Sequence, residues 1–185
     1  MLEFEAANRH RIAFTAISGG LFTGERAGPI SAYPHIPEAN ARIAQMTGAH
    51  FGEAYRQLLE KGTMVMDSTH AAAALGVLRY LAPDKAVLWA HQLQEAFYDR
   101  GRSLSDPNAI AEIAQAGGLD AAQVLSHLED GSALRLAQSD FALARRYGVA
   151  SYPTLLFVEG SNAHPLPATG ATLEVLNKRL DALLN

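Results

Sequence analysis

Apolar residues recur along most of the chain at the spacing of amphipathic α-helices. Phe51, Tyr55 and Leu58 fall at positions i, i+4 and i+7, which places them on one face of a helix. The same spacing, bounded by capping residues and glycines, predicts a block of helices over residues 37–147. Residues 1–8 are predicted to form a short helix, and a last helix is predicted from about Thr172, where leucines again share one face.

Aspartates mark where several of these helices begin. Asp67 or Ser68 is suited to capping one helix, because either side chain can accept a hydrogen bond from an unpaired backbone N–H of the first turn. Asp106 is followed by Pro107, whose missing N–H costs nothing in a first turn. Asp120 begins another helix.

Short apolar runs outside the helical block predict strands. Residues 11–17 (RIAFTAI) alternate in polarity and include β-branched and aromatic side chains, which is typical of a strand. Residues 155–158 form a continuous apolar run, and a weaker strand is predicted near residues 163–168, after a turn. Residues 21–37, rich in glycine and proline, predict a loop. Three strands make a poor sheet, so the sheet is expected to be incomplete.

Charge and apolar runs exclude several classes of partner. The 185 residues carry 15 Lys and Arg against 19 Asp and Glu, a net charge of −4, whereas nucleic-acid binding requires a basic surface. No apolar run approaches the roughly 18 residues of a membrane span. The N-terminus does not have the pattern of a signal peptide. We therefore expect a cytoplasmic protein with neither nucleic acid nor membrane as a partner.

Cysteine is absent from the sequence. This removes disulfides, thiolate nucleophiles and cysteine-based zinc sites together. The 7 histidines are never three or four residues apart, so no metal site is predicted from their spacing.

Four segments carry a resemblance to a known family. In YGVASYPTLLFV (residues 147–158), a loop leads through X-Pro-Thr into an apolar strand, and a turn, a second strand and a helix follow. This order resembles the end of thioredoxin-fold proteins. Together with SGGLFTGERAGP (18–29), RIAQMTGAHFGEAY (42–55) and EAFYDRGRSLSDP (95–107), it resembles the FrnE-like group of DsbA-family oxidoreductases.

The resemblance implies an α/β fold: a thioredoxin-like sheet, incomplete because its first strand is absent, with a helical insertion subdomain. Residues 1–36 and 148–185 would form the split thioredoxin-like core. Residues 37–147 would form the insertion, including the helix that leads back to the core.

The family's first strand and its Cys-x-x-Cys motif have no counterpart in this sequence. Residues 1–8 resemble the end of the family's first helix, so the chain resembles a truncated member that begins roughly 25–30 residues late. In this fold the absent strand lies between residues 11–17 and the strand after Pro153. Backbone groups on both would then lack partners. We expect a homo-oligomer, strand exchange or a separate peptide to complete the sheet.

The resemblance also implies a site at Pro153, with a cis Tyr152–Pro153 bond. A cis proline turns the backbone groups of the preceding residue outward, where an extended polypeptide or a small thiol substrate can pair. The implied binding residues are Ser151, Tyr152, Pro153 and Thr154. Phe22, Met64 and Met66 are candidates for an apolar groove nearby, although ordinary core packing is the favoured explanation for them. No residue is assigned as catalytic or as a metal ligand.

The implied activity is that of a thiol–disulfide oxidoreductase or protein disulfide isomerase. Exchange requires a sulfur nucleophile, so we expect this cysteine-free chain to be redox-inactive and to need no cofactor. Two alternatives stay open. One is a glutathione-using isomerase or transferase, similar to hydroxychromene carboxylate isomerases and kappa-class glutathione transferases, with glutathione as the cofactor. The other is a non-catalytic peptide-binding module.

Overall fold

A computed structural model describes all 185 residues of the chain. The predicted mixed α/β class is confirmed, with 59% of the residues helical and only small sheets. The helices are α1 (Leu2–Asn8), α2 (Ile36–Thr47), α3 (Glu53–Lys61), α4 (Ser68–Leu81), α5 (Ala86–Tyr98), α6 (Pro107–Ala116), α7 (Ala121–Glu129), α8 (Ser132–Arg146) and α9 (Leu173–Leu184). The strands are β1 (Gly28–Pro29), β2 (Val65–Met66), β3 (Leu156–Glu159) and β4 (Asn162–Pro165). None of the helices combines the length and the apolar character needed to cross a membrane.

Side-chain caps start four of the helices where the sequence predicts a start. Carboxylate oxygens of Asp67, Asp106 and Asp120 accept a backbone N–H two residues further on, at 2.7, 3.0 and 2.9 Å. The Thr172 hydroxyl accepts the Val175 N–H at 3.3 Å. Each cap pairs a backbone donor that the first helical turn leaves without an internal partner.

The largest hydrophobic core lies among α4–α8. Its 15 buried residues surround Trp89, whose indole N–H donates to the Ala82 carbonyl at 3.1 Å. Small residues bring α4 and α8 together: a Cβ at Gly76 would lie only 2.8 Å from the Cβ of Leu136. The alanine run at the start of α4 contributes the fully buried Ala72 and Ala74. Close helix packing therefore explains this part of the sequence.

The hairpin of β3 and β4 packs over a smaller core. The strands are antiparallel, with Leu156 opposite Pro165 and Glu159 opposite Asn162. Beneath them, α1 and α9 contribute to a buried cluster of Phe4, Leu166, Leu176 and Leu180. The sheet contains no other strand, which confirms the incomplete sheet expected from the sequence.

The predicted strand over residues 11–17 is wrong. Ile12, Phe14 and Ala16 are half-buried while Ala13 and Thr15 are exposed, so the side chains alternate as they would in a strand. However, the backbone of residues 13–17 makes no hydrogen bond to any other backbone group, and the segment joins no sheet. Alternation determines which face of a segment is buried, but a strand also needs a neighbouring strand to pair with.

The loop over residues 21–37 contains more regular structure than the sequence predicts. Its β1 pairs antiparallel with β2, with Gly28 opposite Met66. The Ile30 N–H then donates to the Met64 carbonyl at 2.8 Å. These bonds tie the loop to the segment between α3 and α4.

A buried ion pair holds the unpaired segment in place. Arg79 on α4 donates to both carboxylate oxygens of Asp140 on α8, at 2.7 and 2.9 Å. The same guanidinium donates to the Ala16 carbonyl, and Asp140 accepts the Ser18 N–H at 3.0 Å. The side chains are 17% and 4% exposed, so all of these bonds lie away from bulk water. The pair therefore supplies partners that a strand ladder would otherwise provide.

A second polar contact is buried in an aromatic cluster. Tyr55 on α3 packs against Phe97 and Tyr98 on α5, with ring centroids 5.3 Å apart in both cases. Its hydroxyl accepts a hydrogen bond from the Asn40 amide on α2 at 3.0 Å. Burial raises the pKa of Tyr55 above its ordinary value of 10.0, and the Asn40 hydrogen bond opposes that effect only in part.

Replacing Asp140 with Asn is expected to lower the free energy of unfolding by about 3–5 kcal/mol, because it leaves the Arg79 charge buried without a counter-charge. Urea denaturation measures the loss. Asp181→Asn is the matched control, because Asp181 pairs with Arg11 at 2.6 Å but is 52% exposed. Its expected cost is about 0–1 kcal/mol. Equal losses in the two variants would contradict a special role for the buried pair.

The free energy of unfolding is expected to fall as the pH rises above 10. The tyrosine of the unfolded chain ionises first, whereas buried Tyr55 holds its proton to higher pH, so the stability present below pH 10 is then lost. Tyr55→Phe removes this contribution and should flatten the curve. Tyr80→Phe, at a 63% exposed position, serves as the control in denaturation at a series of pH values. Parallel curves for the parent and Tyr55→Phe would refute the assignment.

Candidate functional site

The residues implied as a binding site form an exposed loop between α8 and β3. Ser151, Tyr152, Pro153 and Thr154 are all exposed, and the Tyr152–Pro153 peptide bond is cis. The Thr154 hydroxyl donates to the Ser151 carbonyl at 2.6 Å, which closes the loop into a turn. The loop leads directly into β3, which pairs with β4 along one edge only.

Tyr152 holds this loop against the turn that follows the unpaired segment. Its hydroxyl donates to the Gly19 carbonyl at 2.6 Å. The ring lies so close to Gly19 that a Cβ there would be 1.9 Å from the ring carbon Cε1. Gly20 has a φ of +71° and would place a Cβ 2.9 Å from the Phe141 ring. Gly19 is therefore required because the Tyr152 ring leaves no room for a side chain. Gly20 is required because the Phe141 ring is close and because its backbone is left-handed.

A cleft of about 250 Å³ opens between this turn, the end of α8 and Tyr152. We call it the Tyr152 cleft, and its lining residues are Gly19, Gly20, Leu21, Thr23, Arg26, Phe141, Arg145, Ala150 and Tyr152. Arg26 and Arg145 are its only charged residues. Neither side chain belongs to an ion pair, so the cleft is positively charged.

The three candidate groove residues lie in different surroundings. The Phe22 N–H donates to the Ser68 hydroxyl at 2.9 Å, and its ring packs on Tyr33 at 4.7 Å. Met64 immediately precedes β2 and Met66 lies within it, and both pack against the buried cluster around Tyr55. Of the three, only Met64 lines a larger open cleft of about 560 Å³ between α3 and the loop that follows α5. Phe22 and the two methionines therefore do not share the lining of one cleft.

Ser105, His70 and Asp67 meet at the surface but are not arranged as a nucleophilic triad. The Ser105 hydroxyl lies 3.0 Å from the Nδ1 atom of His70, and the Asp67 carboxylate lies 3.8 Å from that same nitrogen. A triad needs the serine and the carboxylate on opposite ring nitrogens. No group of three or more His, Asp or Glu side chains is placed to hold a metal ion.

The charged lining of the Tyr152 cleft was missed by sequence reasoning. Arg26 lies in a loop rich in glycine and proline, and Arg145 lies in the last turn of α8, where a basic residue also favours the helix dipole. The two positions are far apart in the chain. The available signal was the absence of any acidic residue between Asp140 and Glu159, a stretch that includes both Arg145 and the site loop.

Comparison with known proteins finds similarity among solved structures. No protein-family model matches the sequence, and neither does any curated protein. The cytosolic disulfide reductase DsbM from Pseudomonas aeruginosa superposes with a TM-score of 0.75 at 24% identity, over 90% of this chain and 81% of DsbM. DsbM with GSH gives 0.73 at 23% identity, over the same shares of the two chains.

A third structure, of a candidate protein disulfide isomerase from Nitrosomonas europaea, gives a TM-score of 0.69 at 17% identity, over 92% of this chain and 78% of that one. At sequence identities this low, the structural similarity establishes the fold and nothing further. The resemblance stated from the sequence is confirmed at the level of the fold. The chain has their thioredoxin-like fold, and it has it without a cysteine.

Proposed function

We propose that this chain is a DsbA-like protein that binds an extended polypeptide or a small thiol compound at the loop of Ser151, Tyr152, Pro153 and Thr154. We also propose that these 185 residues do not themselves perform thiol–disulfide exchange. The observation that carries the proposal is the exposed loop, which leads into a strand with an unpaired edge in a fold shared with disulfide reductases.

Binding without exchange follows from the chemistry of sulfur. Exchange begins when a thiolate attacks one sulfur of a disulfide and forms a mixed disulfide. This sequence contains no cysteine, and a serine hydroxyl does not replace a thiolate in that step. Exchange at this site therefore requires a cysteine from a separate chain segment or from the bound ligand. The contribution of these residues is to bind and position the partner.

Backbone N–H and C=O groups that lack hydrogen-bond partners favour a polypeptide as the ligand. Residues 13–17 make no backbone–backbone hydrogen bond, and β3 has a partner on only one side. An extended peptide added at such an edge satisfies these donors and acceptors by strand pairing. A second copy of this chain that exchanged a strand would use the same groups. Strand exchange with a second copy differs from peptide binding because self-association depends only on the concentration of this protein, whereas peptide binding also depends on the concentration of the peptide.

A small thiol compound is the second candidate ligand. The DsbM structure that matches this chain is described with GSH, and glutathione is the cofactor expected for the isomerase and transferase alternative. The Tyr152 cleft, at about 250 Å³, is large enough for part of a tripeptide. Glutathione itself carries the thiol that this chain lacks.

In the reduction of insulin by dithiothreitol, the chain is expected to leave the rate equal to that in buffer alone, because it supplies no thiolate. The appearance of insulin turbidity measures the rate. A disulfide isomerase assayed at the same concentration provides the positive control. Acceleration above the buffer rate would show that the chain catalyses exchange after all.

Gly19→Ala is expected to weaken binding of an unfolded, cysteine-free polypeptide about tenfold, because the new methyl group must displace the Tyr152 ring from its position. Binding is measured from the amide chemical shifts of Ser151, Tyr152 and Thr154 during titration. Gly28→Ala is the matched control, since a Cβ at Gly28 has nothing within 4 Å.

Near-ultraviolet circular dichroism checks that both variants keep their packing. If the parent shows no shifts at these amides, polypeptide binding at the loop is wrong. If Gly19→Ala binds as tightly as the parent, Tyr152 does not shape the site.

A further inference from the structure

The geometry points to an oxyanion site in the Tyr152 cleft. At this site, Arg26, Arg145 and the backbone N–H groups of the Gly19–Gly20 turn would bind a carboxylate group of the ligand. The site would therefore select acidic peptides or carboxylate-bearing thiol compounds over neutral ones. This inference rests on the proposed function, because it specifies which ligands the 151–154 loop accepts.

The first argument is the charge of the cleft. Arg26 and Arg145 both line it, and no aspartate or glutamate does. Neither arginine takes part in any of the ion pairs of the chain, and neither guanidinium donates a hydrogen bond to the protein. A planar guanidinium has five N–H donors whose geometry matches a carboxylate.

The buried acid on α8, Asp140, does not neutralise this charge. Asp140 lies on α8 as Arg145 does, but both of its carboxylate oxygens accept hydrogen bonds from Arg79. One of these oxygens also accepts the Ser18 N–H. Glu25 is next to Arg26 in the sequence but does not line the cleft. The cations of the Tyr152 cleft are therefore left for an external anion.

The second, independent argument is the backbone of the turn. Gly19, Gly20 and Leu21 line the cleft, and their three consecutive N–H groups donate to no backbone acceptor. The flanking N–H groups are occupied, since that of Ser18 donates to Asp140 and that of Phe22 donates to Ser68. Gly20 has a φ of +71°. Successive N–H groups around a left-handed residue form a concave site that favours anions.

The two remaining polar side chains of the cleft fit the same ligand. The Tyr152 hydroxyl uses its proton on the Gly19 carbonyl, so it holds the turn and does not compete for the anion. Thr23 adds a hydroxyl that can donate. A carboxylate is the anion that both proposed ligand classes carry, as an acidic side chain or chain terminus in a peptide and as two such groups in glutathione.

The test uses S-methylglutathione and its dimethyl ester, because the blocked thiol removes redox chemistry and the ester removes both carboxylates. Calorimetry is expected to show the acid binding at least about tenfold more tightly than the ester. The affinity of the acid should fall from low to high salt, as for a contact between exposed charges, while that of the ester should not. Amide shifts at Gly19, Gly20 and Leu21 locate the site.

Three variants of the full chain assign the residues. Arg26→Gln and Arg145→Gln are each expected to weaken the acid about tenfold and to leave the ester unchanged. Arg146→Gln is the matched control, since Arg146 is the next residue of α8 but does not line the cleft. Equal losses in all three variants would show a general charge effect and would overturn the site.

Further outcomes separate this inference from the proposed function. If a capped neutral peptide and an acidic peptide of equal length bind equally to the loop, and the arginine variants change neither, the oxyanion site is wrong while polypeptide binding stands. If no peptide binds but S-methylglutathione shifts the amides of the turn, the oxyanion site stands and polypeptide binding fails. If inorganic phosphate binds there as tightly as the acid, the assignment to carboxylates is overturned.

Discussion

The bidentate pair of Arg79 and Asp140 is the contact on which the arrangement of the site depends. It joins α4 to α8 inside the helical core, and it also holds the Ala16 carbonyl and the Ser18 N–H. That segment has no strand ladder to fix it, so its position comes from these side chains. The next residue is Gly19, whose carbonyl accepts the hydrogen bond from Tyr152 in the candidate loop. A buried salt bridge is a weak source of net stability, but it is an effective means of fixing one geometry.

The main hydrophobic core and the candidate site lie in different parts of the molecule. The main core of 15 buried residues lies among helices, and no strand residue belongs to it. The hairpin of β3 and β4 covers a cluster of only 4 buried residues. The candidate loop of residues 151–154 lies between α8 and β3, and Tyr152 packs against the Gly19–Gly20 turn.

Short-range signals were sufficient for most of the secondary structure. The caps at Asp67, Asp106 and Asp120 depend on residues two positions away, so the sequence contains everything that determines them. The candidate loop of residues 151–154 was predicted from its order relative to the following strands and helix. The segment 11–17 was misassigned because alternation does not show whether a pairing strand exists. Arg26 and Arg145 were missed because only folding brings a loop and a helix end to one cleft.

The unpaired outer edge of β3 also affects the solubility of the protein. β3 has the sequence Leu-Phe-Val-Glu, with neither proline nor lysine to discourage another strand from docking on its outer edge, and Val158 is 42% exposed. Such an edge can recruit further copies into insoluble assemblies. A ligand bound at this edge would block such docking and would also stabilise the native state, so the solubility of the protein would depend on how much of it is bound to ligand.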